Sequence, residues 1–189
     1  ASTYTQPTPL AVSPDGSSVA FVIRQADPDR NAYCQGLVVM STDGSARPRL
    51  VADAGEFINY EQATRGSVLP IGYPAATRPR WSPDGRWIAF LRRENGTTRL
   101  WRVASRGGGA LAVSPPGVDV QSFAFAGDGT KLLFGTWPDM PKVQAAVDRE
   151  GGSGWLYDKR VLPNMFARPQ PPAGLALAVS AVDVASGSP

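Results

Sequence analysis

Histidine is absent from this chain of 189 residues, and cysteine occurs once. Without histidine the chain cannot by itself assemble a Ser-His-Asp or Cys-His catalytic set, nor supply the imidazole ligands that most catalytic zinc sites use. A single cysteine, Cys34, forms no internal disulfide and no thiolate cluster. We therefore expect no catalytic residues, no metal and no cofactor in this chain. Cys34 precedes an apolar run and is predicted to be a buried thiol.

Long apolar runs and concentrated charge are also missing. No stretch approaches 18 consecutive apolar residues, so no membrane span is predicted. The 19 basic residues exceed the 16 acidic ones by three and are scattered, with Arg92 and Arg93 the densest pair. A nucleic-acid surface is therefore not expected. No nucleophile elbow is present either, since residues 151–155 read Gly-Gly-Ser-Gly-Trp, with Trp where the motif needs Gly.

What the chain does contain is a repeated phrase. Residues 13–16 and 82–85 read Ser-Pro-Asp-Gly, and residues 127–129 read Gly-Asp-Gly. Each copy is followed by a short apolar run that ends in Phe. Asp-Gly pairs favour tight turns, so each copy predicts a turn between two antiparallel strands. A turn-and-strand unit repeated in this way is typical of a β-propeller.

The predicted fold is therefore all-β: an incomplete β-propeller, of four-stranded antiparallel blades, that occupies residues 1–189. The blades are predicted at about 9–53, 78–114 and 121–189. The last one carries an insertion at 141–173, of which 142–150 has helical composition, and it stops before its fourth strand. Because a ring needs four to eight blades, we expect further chain to complete it.

The spacing between the turn aspartates indicates where residues are inserted relative to a simple propeller repeat. Asp84 and Asp128 are 44 residues apart, a normal blade period, but Asp15 and Asp84 are 69 apart. The surplus falls at 24–33, predicted to lie between two strands, and at 54–76, which shows no strand period. The turn aspartates are expected to accept hydrogen bonds from their own turns. Three tryptophans are expected to fill the interfaces between blades: Trp81, Trp87 and Trp101.

These motifs carry a family resemblance. The phrase at 13–21 and 82–90 resembles the repeat of TolB-like propellers, which also forms the N-terminal propeller of prolyl-oligopeptidase-family serine peptidases. Residues 24–34 and 151–160 resemble the propeller of lasso-peptide isopeptidases in that family. The resemblance implies an α/β-hydrolase domain that follows the propeller and holds the catalytic triad. The propeller would then bind and gate a peptide substrate, whose macrolactam isopeptide bond is hydrolysed.

The insertions supply the candidate substrate-binding residues, since arginine and aromatic side chains suit peptide contact. They are Arg24, Arg30, Tyr33, Trp155, Tyr157 and Arg160. The alternatives are structural: Arg30 pairs with Asp27 or Asp29, and Trp155 and Tyr157 pack the insertion onto its blade.

Two other functions stay open from the sequence. One is a TolB-like protein-binding propeller without catalysis; the other, a sugar-binding or sugar-cleaving propeller, is disfavoured because no carboxylate pair stands out. The expected partners are the remaining propeller, the hydrolase domain and a peptide, with self-association left open. Bacterial cytoplasm and periplasm both suit a chain with one cysteine.

Overall fold

In the structure a strand precedes and a strand follows each Ser-Pro-Asp-Gly turn. The structure is a computed structural model, and it describes residues 9–161 and 165–186. In chain order the elements are β1 (Ala11–Val12), β2 (Ser18–Asp27), β3 (Ala32–Ser41), β4 (Arg49–Gly55), β5 (Asn59–Thr64), β6 (Ser67–Pro74), β7 (Arg80–Trp81), β8 (Trp87–Glu94), β9 (Thr97–Ala104), β10 (Leu111–Ala112), β11 (Val120–Phe125), β12 (Lys131–Thr136), α1 (Met140–Gly151) and β13 (Ala178–Asp183).

The chain forms two units. In the first, the propeller unit, the described residues are 9–58, 76–136 and 179–186. It contains blade 1 (β1 to β4), blade 2 (β7 to β10) and blade 3 (β11 to β13), each an antiparallel sheet in chain order. Blades 1 and 2 are joined by one parallel bridge, between Gly55 and Arg93. Among the described residues the sheets do not close into a ring, as expected for an incomplete propeller.

The turn chemistry is as the sequence predicts. The Asp15 carboxylate accepts hydrogen bonds from the Ser13 hydroxyl at 2.5 Å and from the backbone N–H of Ser17 at 3.0 Å. These bonds lower the pKa of Asp15 to about 2, with the Ser13 hydroxyl as the largest cause. Asp84 and Asp128 accept the equivalent backbone N–H two residues ahead, at 3.1 and 3.0 Å.

The propeller core lies between neighbouring blades. Between blades 1 and 2 it contains Leu37, Ile88 and Phe90, and between blades 2 and 3 it contains Leu100 and Leu132. Burying these side chains drives the blades together. Trp81 and Trp101 pack against the first of these clusters, and Trp87 packs against the second. The expected position of the three tryptophans at the blade interfaces is therefore confirmed.

An arginine also links each blade to the next. Arg49 of blade 1 donates to the backbone carbonyls of Ser105 and Arg106 at 2.9 and 2.8 Å. Arg102 of blade 2 donates from Nη2 to the carbonyl of Ala185 in blade 3 at 2.7 Å. Its guanidinium is buried, lies 4.2 Å from the centre of the Trp87 ring, and leaves Nε and Nη1 without a partner in the described structure.

Three sequence expectations are wrong. Residues 24–33 are not a loop between strands, because β2 and β3 continue through them as one long hairpin with a turn at 28–31. Residues 54–76 contain strands, since β5 and β6 form a hairpin with its turn at 65–66. Cys34 is exposed rather than buried, because the hairpin extends beyond the part of β3 that the core covers.

The second unit, the insertion unit, comprises residues 59–75 and 137–178. Its described part contains the β5–β6 hairpin, helix α1, which includes the predicted helical segment, and the irregular chain that follows. The two insertions are joined by backbone hydrogen bonds, from Val68 to Pro171 and from Ala173 to Gly66, both at 2.8 Å. Two segments that are far apart in the sequence therefore build one unit.

Strand direction divides the propeller unit into two ends. The turn end carries the turns that contain Asp15, Asp84 and Asp128, and the hairpin end carries the β2–β3 and β8–β9 turns. No helix among the described residues is long and apolar enough to cross a membrane.

Candidate functional site

The β2–β3 hairpin carries three of the predicted contact residues. Arg24 pairs in register with Gln35, and Ala26 with Tyr33. Since opposite residues share a sheet face, Arg24 and Tyr33 lie on the same face of the hairpin, and both are exposed. Tyr33 also contacts the Phe57 ring, at a centroid distance of 5.5 Å. The structure therefore brings Arg24 and Tyr33 together on one available surface.

Glu56 fixes the base of this hairpin. Its backbone carbonyl accepts a hydrogen bond from the side chain of Gln35, which is buried. Its carboxylate accepts the backbone N–H groups of Asn95 at 2.8 Å and Gly96 at 3.2 Å, in the β8–β9 turn. Blade 1's hairpin is thus held against blade 2. Sequence reasoning missed Glu56 because its partners lie 21 to 40 residues away.

Arg30 lies in the turn of the hairpin, where it pairs locally. Its Nε is 3.6 Å from Asp27 Oδ2, and its backbone N–H binds the same carboxylate at 3.2 Å. The side chain is 81% exposed, so the ion pair is a weak one. This arrangement is the structural alternative considered for Arg30, and it leaves the guanidinium accessible.

The other three predicted residues lie in the insertion unit, on residues 151–160, called here the glycine loop. Arg160 is the centre of an ion network. It makes two bonds of 2.9 Å to Glu150, at the end of α1, and bonds of 2.9 and 3.0 Å to Asp158. Arg160 lowers the pKa of both carboxylates, and they raise the pKa of Arg160. Arg160 therefore stabilises the glycine loop.

Trp155 also serves the loop's own structure. Its indole N–H donates to the carbonyl of Val147 in α1 at 2.9 Å. The ring lies against Gly151, where a Cβ would come within 2.9 Å of ring atoms. Arg168, which pairs with Asp148 at 2.8 Å, lies 5.9 Å from the ring centre. The tryptophan thus anchors the loop to the helix.

The residues between these anchors point to solvent. Leu156 is 66% exposed and Tyr157 is 70% exposed. The backbone N–H of Leu156 is nevertheless bound by Glu150 Oε1 at 2.9 Å. Tyr157 was predicted from its residue type, whereas Leu156 and Glu150 were missed, since a leucine is ordinarily assigned to a core and a glutamate to solvent.

The turn end contains a groove lined by carboxylates. A cavity of about 320 Å³ lies between blades 2 and 3 and is lined by Asp84, Asp128 and Asp183. Each of these carboxylates binds backbone N–H groups of its own turn. The described residues contain no cluster of His, Cys, Asp or Glu side chains able to hold a metal. Since the sequence contains no histidine, no nucleophile in this groove is paired with a histidine base.

Comparison with known proteins gives the relationship. No protein-family model matches the chain. It is 34% identical over 181 residues to the lasso peptide isopeptidase AtxE2 of Asticcacaulis excentricus, covering 95% of this chain and 26% of that protein. It is 28% identical over 123 residues to the uncharacterized peptidase YuxL of Bacillus subtilis, covering 64% of this chain and 16% of that protein. The chain thus spans about a quarter or less of each of these relatives.

Solved structures agree with this relationship. Apo AtxE2 and a serine-to-alanine variant with Astexin3-dC4 bound match the chain with TM-scores of 0.83 and 0.84. Each match has 34% identity and covers 95% of this chain and 28% of the other. A match of that extent includes the insertion unit as well as the blades. The chain is therefore a β-propeller segment homologous to part of the lasso peptide isopeptidase AtxE2.

Proposed function

We propose that this chain is the substrate-binding and substrate-gating propeller segment of a serine hydrolase that cleaves peptide or isopeptide bonds. The specific reaction proposed is hydrolysis of the isopeptide bond that closes the macrolactam ring of a lasso peptide. The observation that carries the proposal is the similarity to AtxE2 over 95% of the chain. Because that similarity extends through both insertions, it is more specific than a shared propeller repeat.

In this proposal the chemistry takes place in an α/β-hydrolase domain outside these 189 residues. Water adds across the isopeptide bond, the carbonyl carbon–nitrogen bond breaks, and a free α-amine and a side-chain carboxyl group form. The chain's own residues bind the folded peptide. A threaded ring cannot be held as an extended strand, so it needs a shaped surface. The exposed candidates for peptide contact are Arg24, Arg30 and Tyr33 on the hairpin and, in the other unit, Tyr157 on the glycine loop.

The test uses the full-length protein that contains this chain. It is incubated with a purified lasso peptide, and the products are analysed by mass spectrometry. We expect a mass gain of one water and a new free amine at the ring position. A sample treated beforehand with a serine-reactive fluorophosphonate serves as the control and should show no gain.

Two results would count against the proposal. If the protein neither reacts with the fluorophosphonate nor opens any peptide, the non-catalytic binding propeller is the better explanation. If it reacts with the probe and cleaves linear peptides but no isopeptide bond, the general hydrolase role stands and the lasso-peptide role is lost.

A further inference from the structure

The glycine loop combines an exposed apolar tip with a fixed backbone. Leu156 and Tyr157 are adjacent and both more than half exposed. Three glycines precede them, at 151, 152 and 154, and such a sequence alone favours a flexible chain. The structure instead holds the residues on both sides of the pair against helix α1.

Four contacts provide that restraint. The Trp155 indole donates to the Val147 carbonyl, on the N-terminal side of the pair. Glu150 accepts the backbone N–H of Leu156 itself. On the C-terminal side, Arg160 binds both Glu150 and Asp158. Glu150 therefore holds the tip and the following segment at the same time.

A fixed loop with an exposed aromatic tip is suited to binding, because little conformational entropy is lost when the tip meets a ligand. The charged groups beside the tip are bound to one another: Arg160 binds Glu150 and Asp158, and Arg168 binds Asp148. The exposed side chains of Leu156 and Tyr157 are therefore the apolar area that the tip offers to a ligand. A variant of the isopeptidase AtxE2 has been solved with Astexin3-dC4 bound.

We infer that Leu156 and Tyr157 form a pre-organised contact for an apolar portion of the folded peptide substrate, and that Glu150 is the residue that positions them. This inference rests on the proposed function and names the part of the substrate that the glycine loop recognises. Glu150 touches no substrate; it acts through the two tip residues.

The test measures kcat and KM of the full-length protein on a lasso peptide. We expect the paired variant Leu156→Ala with Tyr157→Ala to raise KM about tenfold or more, as loss of a binding hot spot does, with kcat changed less. Fluorophosphonate labelling should proceed at the parent's rate. Tyr73 is a matched control, since it is 68% exposed in the same unit, and Tyr73→Ala should leave KM unchanged.

Glu150→Gln tests the positioning role. Glu150→Gln should raise KM, as Tyr157→Ala does. It should also make the glycine loop susceptible to limited proteolysis. Combined with Tyr157→Ala it should add little, because both changes remove the same contact.

The outcomes separate the inference from the proposed function. An active parent whose KM is unmoved by the paired tip variant overturns the inference and leaves the function standing. Fully additive effects of Glu150→Gln and Tyr157→Ala overturn the positioning role. A parent that labels with the probe but opens no lasso peptide overturns the proposed lasso-peptide reaction and the inference with it, while the general hydrolase role stands.

Discussion

A methyl group placed on Gly129 should destabilise the propeller far more than the same group on Gly16, although both glycines occupy the same turn position. Their φ angles are 72° and 73°, and Gly85 in the middle copy has 71°. In this left-handed region any L-residue costs about 1–2 kcal/mol. That cost is common to all three substitutions.

The surroundings of the three turns differ. A Cβ at Gly16 meets no atom within 4 Å, and one at Gly85 lies an ordinary 3.8 Å from Pro14 Cδ. At Gly129 it would lie 2.8 Å from Pro83 Cδ and 2.9 Å from Cγ, in the turn of the preceding blade. The proline ring is stiff, although the residue itself is exposed, so relieving this contact adds about 1–3 kcal/mol. We therefore expect about 1–2 kcal/mol for Gly16→Ala and Gly85→Ala and about 2–5 kcal/mol for Gly129→Ala.

Urea unfolding followed by tryptophan fluorescence measures these free energies. A double-mutant cycle with Pro83→Ala isolates the clash, since removing the ring should recover most of the extra loss at Gly129. Equal losses for the three glycine variants, or no recovery with Pro83→Ala, would refute the reasoning and show that the turns do not pack on one another as described.

The other predictions concern the blade interfaces and the turns. Phe90→Ala, at a position 1% exposed, should cost about 3–5 kcal/mol in urea unfolding, whereas Val12→Ala, at a position 56% exposed, should cost less than about 0.5. The pKa of Asp15 falls from 3.8 to about 2 on folding, so its stabilisation is complete above pH 3.8 and lost as the pH falls through about 2. Unfolding of Asp15→Asn should therefore depend less on pH between 4 and 2 than that of the parent; an identical pH profile would contradict this. Arg102→Met removes a buried cation with two unpaired N–H groups and should leave stability within about 1 kcal/mol of the parent or raise it, while Arg102→Ala leaves a cavity and should lower it by about 2 kcal/mol or more. A large loss with Met would show that the bond to Ala185 outweighs the burial of the charge.

The blades could be predicted from the sequence because their signals are local. An Asp-Gly pair determines a turn within four residues, and the apolar runs on either side supply the strands. The hairpin of β5 and β6 could not be predicted, since its residues include prolines at 70 and 74 and show little alternation. The union of the two insertions depends on the bonds between residues 66–68 and 171–173, a separation of about 100 residues that no local pattern reveals.

Some residues of the candidate site could likewise be predicted from the sequence, and others could not. Residue type pointed to Trp155 and Arg160, but the structure shows the indole N–H and the guanidinium engaged inside the loop. Tyr33 and Tyr157 were predicted to be available and are exposed. Leu156 could not be identified, because exposure of a leucine depends on how the neighbouring chain is anchored.

The length of the β2–β3 hairpin has a practical consequence. By extending β3 beyond the covered core, it places the only thiol of this chain in solvent, one residue from Tyr33. A fluorophore or spin label attached to Cys34 would therefore report from the hairpin without disturbing a buried residue. Where Tyr33 contacts a ligand, such a label would change its signal on binding, which provides a spectroscopic titration independent of any cleavage.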